Sequence, residues 1–357
     1  MRAFMVTVGL LGMLGAMGCS STPVVGVAPA AQGEMPVFSD YQSALNYVLS
    51  KMQEGKTPLL LRMRTNGQQT AQKLAQDCVK HAMITKVSSM VLGSVVTLNM
   101  TYVDDTLLLA AHKGYLPESK LTASQRSALH KIQGVVNGIM RQHASQYEQA
   151  LAMHDYILTT SRYDTTMKTW NHATVTVDLI NTHRSVCDGY TRLYHMMLSM
   201  AGIENRIVIG SSSDNVSHSW NLVRLDGAWT HVDCTYDDPV PDAAGRTMRN
   251  YFGMSDAQIA RNHRWSRAEY PAATSTSAYY PTTRGLRFNT MEEFLRYCPG
   301  YAAAGNKNIS AYVKEADSSR VDSRSLLENT QKRLQMNLVK SLQVDSGTPG
   351  ILYCHFR

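Results

Sequence analysis

The sequence predicts an α+β fold in which a helix opening on a cysteine packs against an antiparallel sheet carrying a histidine and an aspartate, with small α/β modules on either side. Three observations predict it. First, Tyr190, Leu193, Tyr194, Met197 and Met200/Ala201 recur at helical spacing after Cys187, and Gly202 stands where a helix-ending glycine belongs. Second, His218–Arg224 and Trp229–Thr235 alternate on either side of Leu225-Asp226-Gly227-Ala228, a strong two-residue hairpin signal. Third, the flanking regions read as short helices alternating with short strands.

In chain order, Met1-Arg2 and the apolar stretch Ala3 to Met17 read as an export signal, shorter than the roughly 20 residues a spanning helix needs. Ala16 and Gly18 before Cys19 resemble a bacterial lipoprotein signal, although that pattern prefers Leu at the position of Ala16. Residues 1–18 are then removed, Cys19 carries the lipid and residues 19–35 form a tether. An N-terminal α/β module over 36–115 follows: helix Tyr41 to Met52, strand Pro58 to Arg64, helix Thr70 to Ile84, and strands Ser94 to Tyr102 and Thr106 to Ala111. A central domain over 120–270 opens with helices Thr122 to Met140, begun by the capping box Thr122-Ala-Ser-Gln125, and Ser145 to Thr160. Tyr163-Asp164 begins a looser stretch to Thr182. Residues 285–357 make a C-terminal α/β module with strand Ser310 to Lys314, helix Ser323 to Lys340 and strand Gly350 to Phe356. It is a candidate repeat of the first, since Phe38, Leu45 and Tyr47 match Phe288, Leu295 and Tyr297 at an offset of 250.

The chain of 357 residues carries a net charge of +7, but residues 159–238 hold six Lys/Arg against nine Asp/Glu. Basicity therefore belongs to the flanks and speaks for an anionic surface or wall, with no nucleic acid expected. Six cysteines include Cys19; the five others are an odd number, which flags a free thiol, and no Cys-x-x-Cys pair supports a zinc ribbon or a thioredoxin-like site. Cys298 and Cys354 could pair within the C-terminal module. Gly55-Lys-Thr57 ends like a P-loop, but Ser50 occupies the position that requires glycine, which excludes nucleotide binding on that motif.

Cys187 stands at the first turn of its helix, where unpaired backbone N–H groups and the helix dipole favour a thiolate and can hold an oxyanion. With Asp226-Gly227 as the loop, facing residues sum to 453, so His218 and Asp233 are diagonal neighbours on one sheet face together with Trp220. This supplies a nucleophile, a base and an orienting carboxylate. Tyr163 is a candidate oxyanion contact set against an ordinary core role. Trp220 is expected to pack over the site, and His231, on the same face as Asp233, to support it from behind. Cys234 points to the opposite face as a buried thiol, which argues against a metal site built from His231, Asp233 and Cys234.

Cys187-Asp-Gly-Tyr190, His218-Ser-Trp-Asn221, Gly227-Ala-Trp229 and Asp233-Cys-Thr-Tyr-Asp-Asp-Pro239, in this order, resemble the transglutaminase-like superfamily from Tyr163 to about Trp265. Tyr251-Phe252 and His263-Arg-Trp265 resemble the segment after the core in bacterial members. The commonest family form has Ala where this chain has Ser219. The resemblance implies a papain-like core, with Cys187 as nucleophile, His218 as base and Asp233 as orienting acid, and no cofactor or metal. It implies acyl transfer on peptide or protein amide bonds through a thioester, with hydrolysis favoured slightly over transamidation. The expected partners are a peptide or protein substrate in the cell envelope and the membrane, reached through the lipid on Cys19. The competing reading is a non-catalytic envelope module that holds peptides or peptidoglycan stems.

Overall fold

The computed structural model describes residues 4–9, 35–64, 67–78, 81, 83–168, 170–212, 214–238, 240, 247–314, 332, 339–344 and 350–356. Cys19, the tether up to residue 34 and the cleavage region lie outside them. The chain divides into two compact units, Met1–Arg126 with His172–Thr174, and Ser127–Asn171 with Val175–Arg357.

The first unit is built on a five-stranded sheet of order β1-β4-β5-β3-β2, made of β1 (Phe4–Gly9), β2 (Val37–Phe38), β3 (Leu59–Met63), β4 (Ile84–Leu92) and β5 (Val95–Tyr102). Phe4–Gly9, within the stretch read as an export signal, lies antiparallel to β4 at the sheet edge. Helices α1 (Tyr41–Gln53) and α2 (Gly67–Cys78) bury Ala44, Val48, Met52, Ala71, Leu74 and Cys78 against Leu61, Val87, Val96 and Leu98. Two sequence expectations change here. The helix expected to reach Ile84 ends at Cys78, because Ile84, Thr85, Val87 and Val91 are β-branched and continue as β4. Thr106 to Ala111, expected as a strand, is the middle of helix α3 (Asp104–His112): a buried Leu/Ala run carries no decisive period, and Leu and Ala are strong helix formers.

In the second unit, α4 (Ala123–Gln142, which begins in the first), α5 (Gln146–Thr160), β6 (Arg162–Tyr163), α6 (Val175–Thr182), β7 (Arg184–Ser185) and α7 (Cys187–Met200) lead into a second five-stranded sheet. Helix α6 takes the place of part of the expected loose stretch. The sheet has the order β11-β10-β9-β8-β12, with β8 (Asn205–Ser212), β9 (Ser217–Leu225), β10 (Ala228–Val232), β11 (Phe252–Met254) and, after the one-turn α8 (Asp256–Ile259), β12 (His263–Trp265). Buried on this sheet are Val208, Trp220, Leu222, Tyr251 and Met254.

After α9 (Tyr280–Thr283), a four-stranded sheet β13-β14-β16-β15 closes the chain: β13 (Arg287–Phe288), β14 (Asn308–Val313), β15 (Val339–Val344) and β16 (Ile351–Phe356), with α10 (Met291–Ala303) after β13. Val37 pairs with Arg62 and Phe38 with Met63, in parallel; 250 residues on, Arg287 pairs with Tyr312 and Phe288 with Val313, again in parallel. Phe38 and Tyr47 rings lie 5.3 Å apart, as do those of Phe288 and Tyr297. Most of the helix expected over Ser323 to Lys340 lies outside the described residues; its last two positions belong to β15. Cys298 and Cys354 are buried free thiols rather than a disulfide.

Candidate active site

Cys187 is the first residue of α7, and the preceding Val186 is extended (φ −94°, ψ −177°) and offers no side-chain cap to the helix. The first-turn N–H groups therefore meet no competing side-chain oxygen from that position. Gly189 allows β7 to pass close to this turn: a Cβ there would lie 2.2 Å from Ser185 Oγ. Three bonds fasten α7 to β9, the Thr191 hydroxyl to the Ser219 carbonyl (2.8 Å), the Ser219 hydroxyl to the Thr191 hydroxyl (3.2 Å) and Asn221 Nδ2 to the Thr191 carbonyl (3.0 Å).

The hairpin has the expected register, with Leu225 opposite Ala228 and Asn221 opposite Val232. Asp226 and Gly227 both have positive φ, 49° and 83°, the conformation of a tight two-residue turn. Strand β10 stops at Val232, three residues before the expected pairing of Thr235. Asp233 leaves the ladder because its Oδ1 accepts the N–H groups of Thr235 (2.9 Å) and Tyr236 (3.0 Å), folding the chain into a turn, while its own N–H donates to Tyr251.

His218 Nε2 donates to Asp233 Oδ2 at 2.6 Å, and the His218 ring is within hydrogen-bond reach of Cys187. Since Nε2 is spent on Asp233, Nδ1 is the nitrogen left for the sulfur. His218 and Asp233 are buried, whereas Cys187 is partly exposed. Burial opposes charge on both partners, but the carboxylate and the sulfur push His218 up to about 10. For Asp233, burial is outweighed by His218 and His263, which hold its carboxyl well below the usual range. A thiol, an imidazole and a carboxylate in series can pass the thiol proton to the imidazole as the sulfur attacks, with the sulfur side partly exposed.

Trp220 stacks beside His218 (ring centroids 5.9 Å, 20° between planes) and donates its indole N–H to His231 Nδ1 at 3.0 Å. Indole is only a donor, so His231 Nδ1 must accept, and the proton sits on Nε2, which donates to Asp256 at 2.8 Å. His231 thus supports the site through Trp220. Burial is the main cause that moves its pKa down. Half-buried Tyr163, on β6, has its hydroxyl pKa raised by burial first and then by Cys187, which puts it within electrostatic range of the sulfur. Cys234 is buried and its thiol is pushed well up by desolvation.

Two neighbours lie in motifs the sequence showed but were given no role at the site. Tyr236 packs on His218 at 5.0 Å, and His263 Nε2 donates to the same Asp233 oxygen as His218, at 2.9 Å. Only the position of Tyr236 after Asp233 hinted at the former; the latter arrives from β12, thirty residues on. His218, Asp233 and His263 are also residue types that bind metals, with donor atoms within 4.8 Å of one another. Their N···O separations of 2.6 and 2.9 Å are those of hydrogen bonds, however, and zinc bound tetrahedrally would hold such atoms about 3.3 Å apart. A separate cleft of about 560 Å³, lined in part by Asp155, Arg249, Tyr280 and Arg284, includes none of these residues.

The sequence pattern of the transglutaminase-like superfamily matches residues 133–234. This segment, less than a third of the chain, is what is similar to the transglutaminase-like superfamily. Kyphoscoliosis peptidase of Homo sapiens is 27% identical over 133 residues, 34% of this chain, and that of Mus musculus is 27% identical over 134. The match spans 20% of the length of these relatives. Among solved structures, a TGase is 14% identical, with 56% of this chain and 59% of that chain covered and a TM-score of 0.28. The periplasmic domain of TgpA from Pseudomonas aeruginosa is 18% identical, with 43% and 55% covered and a TM-score of 0.28. The transglutaminase-like domain supports a cysteine-dependent catalytic role, with a mixed helix and sheet core that carries the cysteine on a helix and the histidine on the sheet.

Proposed function

We propose that this protein is an exported cysteine peptidase or acyltransferase that cleaves amide bonds of peptides or proteins, with Cys187 as nucleophile, His218 as general base and Asp233 as its orienting partner. The observation that carries the reading is the line from Asp233 through His218 to Cys187, with the 2.6 Å bond fixing the imidazole so that Nδ1 is left for the sulfur. The thiolate attacks the carbonyl carbon. The resulting oxyanion is held by first-turn N–H groups of α7, with Tyr163 as a further donor. The C–N bond breaks as His218 gives its proton to the leaving amine, and a thioester remains on Cys187. Water, deprotonated by His218, then attacks the thioester carbonyl; the C–S bond breaks and the thiolate returns. An amine in place of water gives transamidation. Hydrolysis is favoured by the relatives that bear the name peptidase.

The signal-like N-terminus supports export and anchoring through a lipid on Cys19, which would bring the domain to substrates in the cell envelope. Among the described residues no helix is long and apolar enough to cross a membrane. The shared strand register at the offset of 250 supports reading 36–115 and 285–357 as two copies of one module that flank the domain at 120–270. Trapping of an acyl group on Cys187 from an envelope extract, read by mass spectrometry, tests the reaction. A thioester adduct absent from Cys187→Ala is expected. An unmodified Cys187 that alkylates with iodoacetamide no faster than a free cysteine, and independently of His218, would leave the non-catalytic binding module as the better account.

A further inference from the structure

Asp233 has four hydrogen-bonding partners, and one of them is a second imidazole. His218 and His263 both donate to Oδ2, at 2.6 and 2.9 Å, while Thr235 and Tyr236 donate backbone N–H groups to Oδ1. An ionised carboxylate offers about four acceptor positions, so this one is filled and cannot turn about its own axis without losing a bond. His263 is itself fixed. It is fully buried, its Nδ1 lies 2.7 Å from Asn262 Oδ1, and Asn262 Nδ2 donates to the Tyr251 hydroxyl at 2.6 Å. Rings of Tyr236 (4.7 Å), Trp220 (4.8 Å), His218 (5.3 Å) and Tyr251 (5.9 Å) pack around it.

We infer that His263 is a positioning residue for the acyl-transfer reaction, holding Asp233 at Oδ2 while the backbone N–H groups hold Oδ1, so that Oδ2 keeps His218 aimed at Cys187. The inference rests on the catalytic reading above. Its logic is geometric. With His263 removed, Oδ2 keeps a single side-chain partner, and the carboxylate can pivot on its two backbone bonds. His218 would then sample orientations in which Nδ1 no longer faces the sulfur. A short strand supplies the residue: β12 adds to the sheet edge at β8, with His263 opposite Ser212, after the chain has turned through α8. The groups that face His218 are Asp233 and Tyr236 from the turn after β10, Cys187 from α7 and His263 from β12. A change at His263 is therefore read out through Cys187.

The test is the second-order rate of Cys187 alkylation by iodoacetamide between pH 4 and 10, located by peptide mass, in the full chain and in His263→Leu, His263→Gln and His218→Ala, with the melting temperature of each. His263→Leu is expected to slow alkylation at pH 6 by at least about tenfold and to shift the His218 inflection. His263→Gln, whose amide can restore a donor near Nε2, is expected to return to within about threefold of the parent even where it melts lower. If His263→Leu does not fold, His263→Asn, too short to reach Asp233, takes its place. Rates and inflections equal to the parent in a folded His263→Leu, or a loss in His263→Gln equal to that in His263→Leu, would overturn the inference and leave His263 as packing. If His218→Ala also leaves Cys187 reactivity unchanged, the catalytic reading falls with it; a slow His218→Ala beside a normal His263→Leu overturns the positioning role alone.

Discussion

Two clusters of the same residue types hang from one turn and are chemical inverses. At its start, the carboxylate of Asp233 lies between two imidazoles, His218 and His263. Four residues later, Asp237 accepts from His154, an imidazole between two carboxylates, with Asp155 3.0 Å from Nδ1 and Asp237 3.1 Å from Nε2. His218, Asp233, His263, His154 and Asp237 are buried and Asp155 is partly so, and in both clusters burial works against the charges that the partners favour. In the first, the carboxyl is held well down and His218 is pushed up to about 10; in the second, desolvation prevails at Asp237, which is raised. The decisive difference is one free valence. His154 spends both nitrogens on carboxylates, and Asp155 is further tied to Arg249 at 2.6 Å, so the cluster is closed. His218 keeps Nδ1 for a partly exposed thiol. Burial and pairing are thus common to both histidines; on the proposed reading, what sets His218 apart is the nitrogen left to face Cys187.

The largest effect expected separates the clusters outright. Cys187→Ala should lower turnover on an identified peptide substrate by about 10⁴–10⁶-fold with little change in melting temperature. His154→Leu, assayed as folded protein, should stay within about threefold of the parent. A folded His154→Leu that is inactive would break the contrast. Next, Asp233→Asn should cost about 10²–10⁴ in kcat, because the amide can present the wrong group to His218, whereas Asp237→Asn should leave kcat per folded molecule nearly unchanged. Steady-state kinetics on both variants reads this directly.

Stability should show the reverse order. His154→Leu leaves the buried carboxylate of Asp237 without its imidazole partner and should destabilise by about 3–5 kcal/mol in urea unfolding. Cys187→Ala should fall within about 1 kcal/mol of the parent, since the side chain is small and partly exposed. The smallest effect is in pH dependence. A histidine raised by folding contributes stability that is complete below its unfolded value, near 6.5, and is lost as pH climbs through its folded one. The parent should therefore lose melting temperature between pH 6.5 and about 10, and His218→Gln should flatten that decline. An identical slope in the two proteins would show that His218 is not the group being titrated. Asp233, lowered by folding, contributes above about pH 3.9 and loses that contribution only on further acidification.

Local patterns account for what was readable in advance. The start of α7 at Cys187, the hairpin turn and its register are consequences of side-chain period and of Asp226-Gly227, and they carried the ladder as far as Asn221 and Val232, one residue short of Asp233. Patterns of that kind fail where burial is uniform. Thr106 to Ala111 lacks a period to choose helix over strand, and β4 was absorbed into the preceding helix because Val87, Met90 and Val91 are apolar in either setting. At the site itself, His263 and Tyr236 escaped because their roles depend on a turn at Asp233 and on a strand that returns after thirty residues.

The sequence by itself determined the helix that opens on Cys187, the Asp226-Gly227 hairpin and its register, and the repeat of Phe, Leu and Tyr across 250 residues. Those are properties of nearest neighbours and of fixed periods. Only the tertiary structure decided that Asp233 leaves its strand to take four hydrogen bonds, that His231 reaches the site through the Trp220 indole, and that His154 is closed between two carboxylates while His218 is not. Each of those outcomes is a choice among partners far apart in the chain, made by burial, which makes a polar atom without a partner costly.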